Sequence, residues 1–215
     1  MTTILLAVNP SRQAQAWHAE LAARRGWAVA GPAHSLLDAQ RLAAADPPAL
    51  LVADLRLGDG NLLALIHLLQ AGRTAARLPV LVLAPDQADP LLLDLLQAGA
   101  DNFFTTTGAR PGALAEQVQG ALAGEAQIAP WIARRLLDYF QVRQHGAPPG
   151  AVEDLSNPLA LTTAECTLLC QVSVGDRLSE LARREGVRPL DLAARMRAVY
   201  RKMQWALRAG DLRLA

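Results

Sequence analysis

The chain has 215 residues, 52% of them hydrophobic and 19% charged, with a formal net charge of +1. That length exceeds the usual single-domain size of about 100–150 residues, and the apolar content is too high for a disordered chain. No apolar run reaches the roughly 18 uncharged residues of a membrane span, and MTTILLAVNP lacks the basic start of a signal peptide, so Met1–Val8 is expected as a buried strand of a cytoplasmic protein.

Through the first 125 residues, strand-length apolar runs alternate with amphipathic helical stretches. The strand candidates are Ile4–Val8, Trp27–Ala30, Leu50–Ala53, Pro79–Leu83 and Asn102–Thr105. Between them, helical periodicity covers 11–24, 35–45, 60–71, 87–98 and 110–123. The third and fourth strands, ALLVA and PVLVLA, are apolar at nearly every position, as strands covered on both faces must be. The order predicts an α/β, doubly wound, five-stranded parallel sheet over residues 1–125, with its functional edge at the carboxyl ends of the strands.

A helix is expected over 128–143, opened by Pro130 near its first turn. It begins a linker region, 126–160, that continues through the Gly- and Pro-rich QHGAPPGAVEDLSNP. From Leu161 a small all-α domain is predicted, with helices at 162–172, 177–185, 189–203 and a short 206–213. Gly175 and Gly186 end the first two, and Pro189 can start the third. Short helices joined by tight turns form the helix-turn-helix pattern. Cys166 and Cys170 share one helix face inside the apolar pattern and are expected as reduced core residues. Charge is divided unevenly: residues 1–125 carry a net −3 and residues 126–215 a net +4. An acidic front and a basic back suggest a nucleic-acid contact near the C-terminus. No Ser/His/Asp or Cys/His arrangement, phosphate-binding glycine loop or metal-ligand spacing is present, so neither catalysis, nor a cofactor, nor a metal is expected.

VADLRLGDGNLLALI and LQAGADNFFTTT resemble segments of response-regulator receivers, and the order of elements over residues 3–125 matches that family. A receiver aspartate attacks a phosphoryl group, and a hard cation held by carboxylates neutralises the charge that develops. The resemblance places Asp54 at the phospho-acceptor position and Phe103 at the switch-aromatic position. The rest of the chemistry is absent. The acidic pair falls on Val8 and Asn9, the hydroxyl on Ala84, and the lysine on Thr106. Lys202 is the chain's only lysine, so that last loss does not depend on alignment. Asp54 is therefore expected to be a structural acid, Phe103 a packed strand aromatic, and the unit a phosphorylation-independent docking or homodimerisation module.

LTTAECTLLCQVSVGDRLSELARREGVRPLDLAARMRAVYRKM resembles the DNA-binding domain of LuxR/NarL-class response regulators. The matches are Leu161-Thr162 with Glu165, which also forms a capping box, then Leu169, Gly175, Glu180-Leu181-Ala182, Gly186-Val187, and Val199, Tyr200 and Lys202. Departures are Arg188, Asp191 and Arg195, where the family carries other residue types. In helix 189–203, Leu192, Met196, Val199 and Met203 should face the core. The resemblance then implies a transcription regulator of double-stranded DNA, with Lys202, Arg201 and Arg197 on the phosphate backbone and Arg195 and Arg188 reading bases.

Two other readings fit parts of the chain. Trp131 and Arg134 have the Trp-x-x-Arg spacing by which some degenerate members of this class bind cyclic di-GMP. An indole can stack on guanine and a guanidinium can grip it. Asp191, beside any bound phosphate, and a short last helix broken by Gly210 instead fit a protein-interaction module that no longer binds DNA.

Overall fold

A computed structural model describes residues 1–71, 78–85, 89–100, 102–123, 130–144 and 161–211. The chain forms two compact units, Met1–Gly124 and Glu125–Ala215. Among the described residues no helix is long and apolar enough to cross a membrane.

The first unit runs β1 (Thr2–Ala7), α1 (Arg12–Ala22), β2 (Trp27–Ala33), α2 (Leu36–Ala45) and β3 (Leu50–Asp54). A small hairpin follows, β4 (Arg56–Leu57) and β5 (Gly60–Asn61), then α3 (Leu62–Ala71), β6 (Val80–Ala84), α4 (Leu91–Ala98), β7 (Asn102–Thr105) and α5 (Ala113–Leu122). Five strands form one sheet in the order β2-β1-β3-β6-β7, with every pair parallel. The α/β, doubly wound reading therefore holds. Helices α1 and α5 pack together on one face of the sheet, while α2, α3 and α4 follow one another on the other. Ile4, Leu6, Leu50, Val52, Leu81 and Leu83 point into the first layer with Trp17, Leu21, Leu114 and Val118. Their strand neighbours Leu5, Leu51 and Val82 are equally buried, which is why the central strands show no polar alternation.

Two details of this unit were not expected. Strand β2 runs three residues past the predicted Ala30 because Gly31 lets the chain continue through a register shift opposite Leu5 and Ala7. Gly31 has φ +119°, and a Cβ there would lie 2.4 Å from the Leu6 carbonyl oxygen, so only glycine fits. The β4–β5 hairpin occupies what was read as the start of α3, so that helix begins at Leu62 rather than 60. Asp59 at its tip accepts hydrogen bonds from the backbone N–H of Leu36 (2.6 Å) and Leu37 (3.4 Å), while Ser35 accepts from Asp38 N–H (3.0 Å). Both satisfy otherwise unpaired donors in the first turn of α2 and fasten the hairpin to it.

The second unit contains α6 (Pro130–Gln144), α7 (Thr163–Ser173), α8 (Leu178–Glu185) and α9 (Pro189–Asp211). Helix α6, assigned from sequence to a linker, packs against α7. The Gly- and Pro-rich segment 145–160 lies outside the described residues. The predicted capping box opens α7: Glu165 N–H donates to Thr162 Oγ1 (3.2 Å) and Thr162 N–H to Glu165 Oε2 (2.7 Å). The expected break after 203 is absent, and α9 runs on to Asp211. Ala206, Leu207, Arg208 and Ala209 are good helix formers, and together they outweigh the roughly 1 kcal/mol cost of Gly210. Leu192, Met196 and Val199 are buried on α9 as predicted, joined by Ala193 and Tyr200; the side chain of Met203 lies outside the description.

Candidate functional site

The sheet order changes direction between β1 and β3, and the carboxyl ends of those strands form the crevice where such folds hold ligands. Asp54 ends β3 there, and Val8 and Asn9 leave β1 beside it. Val8 is fully buried in the core. Asn9 turns towards the carboxylate: its backbone N–H donates to Asp54 Oδ2 at 2.8 Å and its side-chain amide donates to the same oxygen at 3.2 Å. That amide also donates to the Arg56 carbonyl at 2.6 Å, bridging two oxygens with one NH₂ group. Burial pushes the Asp54 carboxyl above the ordinary aspartate range, and the two Asn9 hydrogen bonds offset that only in part.

The donor set does not suit the divalent cation that receivers use. A single carboxylate remains, its Oδ2 already takes two N–H groups, and Val8 has nothing to coordinate with. No group of three or more potential metal ligands occurs among the described residues. Ala84 is fully buried, and Thr106 offers its N–H to the Ala84 carbonyl (3.2 Å). Thr107 Oγ1 donates to the Pro85 carbonyl at 2.9 Å. Phe103 is packed inside β7 at 4% exposure.

Sequence reasoning missed the pair that closes this edge. Arg56, two residues beyond Asp54, makes a bidentate contact with Asp89, NH1 to Oδ2 at 2.5 Å and NH2 to Oδ1 at 3.1 Å. Asp89 Oδ1 also accepts from the Leu91 N–H at the start of α4 (2.9 Å). An arginine after the acceptor was visible in the sequence; its partner, 33 residues away, was not.

In the second unit, α8, the turn Gly186–Arg188 and the start of α9 make the helix-turn-helix. Gly186 adopts φ +68°, and both its N–H and that of Val187 (3.0 Å) reach the Ala182 carbonyl, closing α8. Asp191 lies in the first turn of α9 and accepts from the Arg188 backbone N–H (3.3 Å), Nε (3.1 Å) and NH2 (2.9 Å). The carboxylate feared as a phosphate repellent is thus held by a guanidinium, which keeps it well ionised. Arg195 pairs with Glu185 of α8 at 3.1 Å. Both pairs are largely solvent-exposed and therefore easily exchanged for other partners.

Lys202 is placed differently from the other cations. Its ammonium lies 2.6 Å from Glu165 Oε2, with the two side chains only 22% and 11% exposed, so it joins the capping box of α7 to α9. Arg201 is exposed and Arg197 half-buried on the same helix. On α6, Arg134 Nε donates to the Ser173 carbonyl at 3.0 Å, at the last turn of α7, and Trp131 is half-buried. The Trp-x-x-Arg spacing is therefore realised on a helix, with its arginine already engaged by the protein.

No family model and no curated protein matches the chain, but solved structures do. A LuxR-family two-component response regulator from Aurantimonas sp. SI85-9A1 is 26% identical, with a TM-score of 0.52, covering 65% of this chain and 98% of that one. RcsB from Salmonella enterica serovar Typhimurium, bound to a promoter in the presence of a phosphomimetic, is 16% identical with a TM-score of 0.53 and covers 94% of this chain and 92% of its own. A structure of two RcsB dimers on two parallel DNAs aligns over the same shares at 14% identity and a TM-score of 0.54. The chain therefore has the fold of LuxR-type response regulators, a receiver-like sheet followed by a helix-turn-helix unit.

Proposed function

We propose that this chain is a DNA-binding transcription regulator whose receiver-like unit works without aspartyl phosphorylation. The observation that carries the DNA reading is α9 itself. Its buried side holds Leu192, Ala193, Met196, Val199 and Tyr200, and its outward side carries Arg195, Arg197 and Arg201 from a helix-turn-helix turn. Arg197 and Arg201 contact phosphates, and Arg188 and Arg195 are available to bases once they leave their exposed carboxylate partners. Lys202 serves by fixing α9 on α7. Independence from phosphate is supported by Asn9, which donates to Asp54 Oδ2 and to the Arg56 carbonyl, and by alanine at 84 and threonine at 106 where receivers carry a hydroxyl and a lysine. The first unit then acts as a homodimerisation or docking module, and two copies would place two recognition helices on a palindromic site.

The test is a titration of the full-length protein against random-library duplexes at two salt concentrations. Sequence-selective binding that weakens with salt is expected. In Arg201→Ala the slope of log affinity against log salt should shrink by about one. Unselective or absent binding at low salt overturns the proposal in favour of a protein-interaction module. Adding cyclic di-GMP should change nothing if the regulator needs no ligand, and a large change in affinity would favour the ligand-sensing reading.

A further inference from the structure

The outward face of α9 has a composition that the arginines alone do not explain. Four residues at helical spacing form one line along it, with Arg197 half-buried: Leu190, Ala194, Arg197 and Arg201. The first two are apolar and exposed, with Leu190 at 46%, and the last two are basic. Leu190 is one of only a few large exposed hydrophobic residues among those described. Along one side of the apolar half lie the ion pairs Arg188–Asp191 and Arg195–Glu185, each locally neutral. The first turns of α9 therefore present an uncharged apolar strip, and the net positive charge comes only in later turns.

Resting on the reading of this chain as a DNA-binding regulator, we infer that Leu190 and Ala194 are specificity-determining residues that read thymine methyl groups in the major groove. The N-terminal residues of a recognition helix are those that reach base edges. Of the major-groove features, only the C5-methyl of thymine is recognised by apolar contact; the others are donors and acceptors. Against guanine, cytosine or adenine edges, Leu190 would strip water from polar groups and return no hydrogen bond. Arg197 and Arg201, one and two turns further on, hold the neighbouring phosphates and set how deeply the strip enters. Asp191, neutralised by Arg188, permits that approach without repelling the backbone.

The experiment uses the full-length protein and duplexes it selects from a random library. Each invariant thymine in a selected half-site is replaced in turn by deoxyuridine, which removes only the methyl group. At one or two positions the dissociation constant should rise about fourfold, the value of one buried methyl. In Leu190→Ala that uridine effect should disappear while affinity for the uridine duplex is unchanged. Far-UV circular dichroism checks that this variant keeps its helices; Ala194→Gly is not used because it would loosen the helix. Selected sites without invariant thymine, or selective binding with no penalty for uridine, would overturn the inference and leave the DNA-binding reading intact. A uniform loss of affinity in Leu190→Ala, with the uridine effect retained, would also overturn it. Absence of selective binding by the unaltered chain would instead defeat the proposed function itself.

Discussion

Lys202→Met tests whether the chain's only lysine serves the fold or the DNA. In the structure its ammonium donates to Glu165 Oε2 at 2.6 Å, an oxygen that also takes the Thr162 N–H at 2.7 Å and the Thr162 hydroxyl at 3.0 Å. Breaking a fully buried ion pair from one side costs about 3–5 kcal/mol, and a hydrogen bond to a charged group contributes about 1.5–3 kcal/mol. Here Lys202 keeps 22% of its side-chain exposure, and Glu165 would keep both Thr162 donors. The loss should therefore fall near 1.5–2 kcal/mol, or roughly 6–16 °C in the melting of a unit this size. Unfolding of the full-length protein in urea, followed by far-UV circular dichroism, measures it. Acid adds a second signature. Burial raises the Glu165 carboxyl, but the Lys202 and Thr162 hydrogen bonds outweigh it, so the folded value lies below the ordinary 4.5. Such a group stabilises the fold above its unfolded pKa, and the contribution is lost as pH falls from about 4.5 downward. The variant should show a flatter decline in that window. An unchanged unfolding midpoint, together with weaker DNA binding and a salt slope smaller by about one, would refute this account and return Lys202 to the phosphate backbone.

Asp54→Asn should leave DNA affinity unchanged, measured on the selected duplexes, if the first unit works without aspartyl phosphorylation as proposed. It should also stabilise the first unit at pH 7 by on the order of 1 kcal/mol, since an amide avoids the cost of burying a charge and can still accept from Asn9. The folded pKa of Asp54 is raised, so the native carboxyl is penalised at neutral pH and relieved as pH falls through that value. The advantage of the variant should therefore shrink towards pH 4, and a constant difference across pH would count against the burial argument. Gly31→Ala should cost at least about 2–3 kcal/mol, from a left-handed φ combined with a Cβ pressed onto the Leu6 carbonyl, and denaturant unfolding of the full chain would read it directly.

The legibility of this chain followed the range of its interactions. Strands β1, β3, β6 and β7 and most helices were readable because burial on a sheet face imposes a pattern of residue types over a few neighbours. The capping box at Thr162 and Glu165 was readable for the same reason, being complete within four residues. The missed features are those closed by distant partners. Asp59 found α2, Arg56 found Asp89, and Asn9 found both Asp54 and the Arg56 carbonyl, 45 and 47 residues along the chain. None of those pairings leaves a periodic trace. Lys202 shows the same limit inside the helical unit: its position on α9 was clear, but the carboxylate that claims it lies 37 residues earlier. The ion pairs of Arg188 and Arg195 were likewise invisible, so charge counting overstated how uniformly basic the start of α9 is.

The Arg134–Ser173 hydrogen bond and the packing of α6 on α7 change what can be moved between proteins. The glycine- and proline-rich stretch looks like the natural seam for exchanging sensors, yet a cut there separates α6 from the helix whose last turn it supports. The transferable cassette begins at Glu125. A chimera joined between Gly124 and Glu125 would carry its own brace with it, whereas one joined at Leu161 would hand the new sensor a helix-turn-helix with the Ser173 carbonyl stripped of its guanidinium.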